Sequence, residues 1–107
     1  MYFYNDFSIG LKQKRKGVFF KSITGENIQM LYLKLKPGSS TYHSHINEQM
    51  GYILSGEVEL TINGESRICK PGDAYYIPAD IRHGFSVLKN EDLEYIEIFC
   101  PIKEENK

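Results

Sequence analysis

The sequence predicts an all-β protein, an antiparallel sandwich or barrel with little or no helix. Two observations carry that expectation. Turn signals recur at short intervals along the whole chain, and the segments between them alternate apolar and polar residues with a period of two. A third is negative: no stretch shows the 3.6-residue apolar repeat of a stable helix.

The punctuation stands at Thr24-Gly25-Glu26-Asn27, Pro37-Gly38, Ser55-Gly56, Asn63-Gly64, Pro71-Gly72 and Lys89-Asn90-Glu91-Asp92. Between the first two, Leu31, Leu33 and Leu35 share one face of an extended segment, with Tyr32, Lys34 and Lys36 on the other. Val58, Leu60 and Ile62 oppose Glu57, Glu59 and Thr61 in the same way. Asn63-Gly64 then reverses the chain, because both residues tolerate the positive φ of a two-residue hairpin turn. From Leu93 to Cys100 the alternation returns, Ile96 and Ile98 against Tyr95, Glu97 and Phe99. Repeats and linkers are absent, so residues 1–107 are expected to form one domain.

Composition excludes several functions. Thirteen basic against fourteen acidic residues give a net charge of -1, with no excess to attract nucleic acid or an anionic membrane. The one basic run, Lys12, Lys14, Arg15 and Lys16, reads as a solvated loop or the guard of an edge strand. No apolar run approaches the ~20 residues of a membrane span, and the start does not read as a signal peptide. Cys69 and Cys100 lack the spacing of a redox or zinc motif and suit a reducing, cytoplasmic setting.

The histidines are the chemically informative residues. Only three are present. His43 and His45, one residue apart in an extended segment, project to the same side with Cα atoms roughly 6.6 Å apart. Two imidazoles so placed can converge on one metal ion. Gln49 lies four residues on, and His83 follows the strand-like Tyr75-Tyr76-Ile77-Pro78.

These residues carry a resemblance. Gly38 through His43, Ser44, His45 and Gln49 to Gly56 resembles the first cupin motif (Gly, about five residues, His-x-His, three or four residues, Glu, six residues, Gly). Gly72, Pro78 and His83 match the second, so the two motifs span about 38–56 and 72–87. Three departures stand out. Counting back from Gly56 puts Gln49 at the family's glutamate, with Glu48 as its rival; Asp80 and Val87 replace a glycine and an asparagine; and the first loop is one residue short. The resemblance implies a double-stranded β-helix, the jelly-roll cupin barrel, holding one divalent ion (Zn, Mn, Fe, Ni, Co or Cu) through His43, His45, Gln49 and His83. With a neutral amide in place of a carboxylate, the ion keeps its full +2 charge, which favours Lewis-acid chemistry over redox cycling.

Within the cupins, the His43-Ser-His45 motif with Gln49, together with the final Tyr95-Ile-Glu97-Ile-Phe99-Cys-Pro101, is similar to the small pectin-degradation cupins. That likeness implies a non-redox isomerase that converts 4,5-unsaturated uronates to linear ketone sugars, hence a small anionic sugar acid as substrate. Glu97 is the candidate proton carrier, provided its face of the strand is the inner one. Phe85 and Phe99 are candidates for a sugar-stacking wall. A metal-dependent dioxygenase and a non-catalytic binding module are the alternatives. Small cupins commonly dimerise, and the aromatic start Tyr2-Phe3-Tyr4 offers a patch for a second subunit of a homodimer.

Overall fold

A computed structural model describes residues 2–88 and 90–107, so Lys89 of the last turn signal lies outside the described residues. Among the described residues ten strands form: β1 (Lys12–Arg15), β2 (Val18–Thr24), β3 (Gln29–Leu35), β4 (Ser40–His43), β5 (Glu48–Ser55), β6 (Val58–Ile62), β7 (Glu65–Cys69), β8 (Ala74–Ile77), β9 (His83–Val87) and β10 (Leu93–Cys100). The only helical piece among the described residues is a 3-10 turn at Glu104–Asn106. No described helix is long and apolar enough to cross a membrane.

The strands pair antiparallel into two sheets, ordered β1-β2-β3-β10-β5-β8 and β4-β9-β6-β7. This is the expected jelly roll. Leu31, Leu33 and Leu35 are buried at alternate positions, and so are Val58 and Leu60, because one face of each sheet turns toward its partner. They join Val18, Phe20, Ile53, Val87 and Tyr95 in one apolar cluster between the sheets. Burial of each such side chain stabilises the fold by roughly 1.5–3 kcal/mol relative to exposure.

Turn chemistry follows the sequence. Ile62 pairs with Glu65 across Asn63-Gly64, whose φ values of 50° and 82° make the tight reversal expected there. The basic run forms edge strand β1, but with a consequence the edge-guard reading missed. Lys14 and Arg15 also line the opening of the space between the sheets.

Candidate metal and proton-transfer site

β4 and β9 bring two histidines together directly, since His43 and His83 are paired across the ladder. His45 lies two residues beyond, after β4 has ended, so the assumed common strand face does not position it. A different tie does. The backbone N–H of Asp80 donates to the carbonyl of His45 at 2.7 Å, joining the two motif segments. Asp80 itself has φ 64°, the left-handed conformation that explains why glycine suits this position and why aspartate is a tolerable substitute.

The three imidazoles face one another edge-on, with ring centroids 4.7, 4.9 and 5.1 Å apart. One ligand nitrogen from each lies within 4.8 Å of the others. Burial lowers the proton affinity of all three. His43 is pushed down to about 4, first by desolvation and then by the neighbouring His83, Lys103, His45 and Arg15. His45 and His83 shift the same way, also chiefly by desolvation. At neutral pH the rings are therefore uncharged lone-pair donors.

Hydrogen bonding orients those lone pairs. His83 Nδ1 donates to the Ile81 carbonyl at 2.9 Å, which leaves Nε2 as an acceptor. That Nε2 is fully buried and has no partner among the described residues. Such an orphan costs about 1–3 kcal/mol. His45 makes the case sharper. Its two nitrogens face the Asn47 carbonyl at 3.1 Å and Gln49 Oε1 at 3.2 Å, both of them acceptors. A neutral imidazole has one N–H and can satisfy only one of the two. A cation beside His45 Nε2, Gln49 Oε1 and His83 Nε2 removes both defects, so the residues present fit a divalent metal ion.

Gln49 and Glu48 separate cleanly. Gln49 is buried and points inward, while Glu48 points out and accepts a 2.5 Å hydrogen bond from the Tyr76 hydroxyl. β10 settles Glu97 in the same way. Tyr95, Glu97 and Phe99 are buried and Ile96 and Ile98 face out, so the carboxyl lies in the interior. Glu97 Oε2 accepts hydrogen bonds from the Gln49 amide and from the Tyr75 hydroxyl, the latter at 2.8 Å. Desolvation raises its pKa to about 7, against the opposing pull of those two donors and of Lys103 and Lys14.

Phe85 and Phe99 line the same space, each largely buried. Phe99 stands edge-on to His45 at 5.8 Å, and Phe85 packs against Tyr75 and Tyr95. Three contributors were not found in the sequence. Tyr75 reaches Glu97 by crossing Gly51, its ladder partner, where any Cβ would fall 2.2 Å from the Tyr75 ring. Thr41 leaves a buried hydroxyl in the same lumen without a partner among the described residues. Lys103, on the segment after β10, joins Lys14 and Arg15 at the mouth. That segment is pinned by Asn47 Nδ2, which donates to the Pro101 carbonyl at 2.6 Å, and by Gln29 Nε2, which donates to the Lys103 carbonyl at 3.1 Å.

A two-sheet jelly roll with converging histidines defines a cupin, and residues 31–99 match the Cupin domain family. The chain belongs to that family. It is 35% identical over 88 residues to the pectin degradation protein KdgF of Dickeya dadantii, covering 79% of each chain. The solved structure of KdgF from Halomonas sp. superposes with a TM-score of 0.83 at 28% identity, over 89% of this chain and 88% of that one. The HTH-type transcriptional regulator PuuR of Escherichia coli is 34% identical over 77 residues, which cover 66% of this chain and 42% of the regulator.

Proposed function

We propose that this chain is a metal-dependent enzyme that isomerises a small anionic carbohydrate, such as a 4,5-unsaturated uronate, to its open-chain ketone form without redox change. The observation that carries the reading is the adjacency of two groups of different chemistry. Three neutral imidazoles share one point in the lumen, and a buried carboxyl is joined to them through Gln49. The likeness to a protein of pectin degradation supports a small carbohydrate as the substrate class.

In this reading His43, His45 and His83 hold the ion, with Gln49 Oε1 as the fourth ligand. A bound divalent ion would polarise a sugar oxygen and stabilise negative charge developing there. Glu97 moves the proton. Ring opening takes the proton from the anomeric hydroxyl, breaks the bond between the anomeric carbon and the ring oxygen, and returns a proton to the enol carbon. A carboxyl whose pKa sits near 7 can serve in both directions. Tyr75 holds that carboxyl in place, and Lys14, Arg15 and Lys103 at the mouth favour entry of a carboxylate. Phe85 and Phe99 supply the apolar wall. A cytoplasmic location, expected from the unpaired Cys69 and Cys100, belongs to the same reading.

The test follows ultraviolet absorbance of an unsaturated uronate, whose conjugated double bond is lost in the reaction. Metal-loaded protein is expected to accelerate that loss well above the spontaneous rate. An unchanged rate overturns the proposal. The PuuR likeness favours a second reading, a ligand-binding module, which predicts saturable uronate binding with no loss of absorbance.

A further inference from the structure

Two of the cations at the mouth of the lumen already hold an anion of this chain. Glu105 lies in the 3-10 turn that follows β10. Lys14 Nζ approaches its Oε2 at 3.4 Å, and Lys103 Nζ approaches its Oε1 at 3.3 Å. One ammonium thus faces each carboxylate oxygen. Asn106, the next residue, is buried and lines the same lumen, and its Oδ1 accepts a 2.6 Å hydrogen bond from Lys14 Nζ. Lys12 Nζ donates to the Lys107 carbonyl at 3.2 Å. The turn is therefore fastened to edge strand β1 by polar contacts with Lys12 and Lys14. Glu104 plays no part in this, because its carboxylate pairs with Lys107 at 3.0 Å.

The cations and the anion are held very differently. Lys14 Nζ stands 5.8 Å from the centre of the Phe20 ring, and Lys103 Nζ stands 5.3 Å from that of Phe99. Ring faces attract ammonium groups, so both lysines have supports besides Glu105. Their side chains are 21% and 13% exposed, whereas that of Glu105 is 58% exposed. The cations belong to the wall, and the carboxylate is laid on them from outside. Burial raises the Glu105 pKa, but Lys103 and Lys14 outweigh it and keep the carboxyl below its ordinary value. An exposed carboxylate is nonetheless a weak occupant, because water screens the pair and the side chain loses rotamer freedom in making it. Phe99 ties this clamp to the histidines, since the ring under Lys103 is also edge-on to His45 at 5.8 Å.

We infer that Glu105 is a built-in competitor of the substrate: its carboxylate occupies the Lys14–Lys103 clamp, and an anionic sugar reaches that clamp by displacing it. The inference rests on the proposed reading of the lumen as a site for a small sugar acid. Two ammonium groups that both touch one carboxylate leave no place for a second, so the two anions exclude each other. The apparent affinity for a uronate is then its intrinsic affinity reduced by the fraction of protein in which Glu105 has left the clamp.

The experiment titrates D-galacturonate, a saturated uronate, into the metal-loaded full chain and into Glu105→Gln and Glu104→Gln, by calorimetry. Both glutamates are exposed, and circular dichroism checks that the variants fold as the wild type does. Glu105→Gln is expected to bind about three- to tenfold more tightly, as removal of a weak internal competitor requires. Glu104→Gln removes the same charge one residue away and is expected to match wild type. With an unsaturated uronate, Glu105→Gln should lower KM by the same factor and leave kcat unchanged. Equal or weaker galacturonate binding by Glu105→Gln overturns the inference. So does an equal gain in Glu104→Gln, which would trace the effect to net charge, or a failure of all three proteins to bind galacturonate. Tighter binding by Glu105→Gln with no turnover in any of the proteins would sink the isomerase reading and leave this one standing.

Discussion

The two sheets bring unlike chemistry to the lumen they share. The four-stranded sheet contributes lone pairs, with His43 and His83 paired across β4 and β9 and His83 Nε2 buried with no donor among the described residues. The six-stranded sheet contributes a carboxyl and the donors that hold it, with Glu97, Gln49 and Tyr75 joined on β10, β5 and β8. Gln49 and His45 bridge the two. In the proposed reading one sheet binds an ion and the other moves a proton, so the two roles should be separable by substitution.

The largest separation is expected from Glu97→Gln. Turnover should fall by about 10²–10⁴-fold, the usual loss of a positioned acid or base, while metal content per chain stays at the wild-type level by elemental analysis. A parallel loss of metal would merge the two functions. Gly51→Ala comes next. Its Cβ would strike the Tyr75 ring, and overpacking of this kind costs about 1–3 kcal/mol, measurable as a lower midpoint in urea. Tyr75→Phe should act more gently, because it removes one hydrogen bond to Glu97 and leaves the ring in place. We expect kcat to drop about tenfold, some 1.4 kcal/mol, with KM and metal content unchanged. A change in KM alone would remove Tyr75 from its positioning role. Glu48→Gln should do least. Its side chain points outward to Tyr76, and turnover and metal content are expected to stay within about twofold of wild type.

How much of this was legible in the sequence depends on how local each feature is. Period-two alternation exposed β3, β6 and β10, because a sheet with one buried face imposes it residue by residue. It could not say which face of β10 is inner, since Ile96 and Ile98 are as apolar as Tyr95 and Phe99. The outer face of that strand is apolar as well, so the pattern carried no sign. Ladder pairing decided it, with Phe99 opposite Gln49 and Glu97 opposite Gly51. The three histidines and Gln49 were readable through motif spacing. His45 nevertheless reaches the cluster from beyond the end of β4, and a bond from Asp80 helps hold it there. Tyr75 was invisible among eight tyrosines because its role exists only through Gly51 on the next strand. Lys14 and Arg15 were read for their charge, while their place at the mouth comes from the β1–β2 hairpin packing beside the lumen.

The most direct test is a calorimetric titration of metal-stripped protein with Zn²⁺ or Mn²⁺, comparing wild type with His83→Ala. Three converging imidazoles predict one saturable ion per wild-type chain and no saturable site once the buried ring of β9 is gone. Equal stoichiometry and affinity in the two proteins would contradict the account.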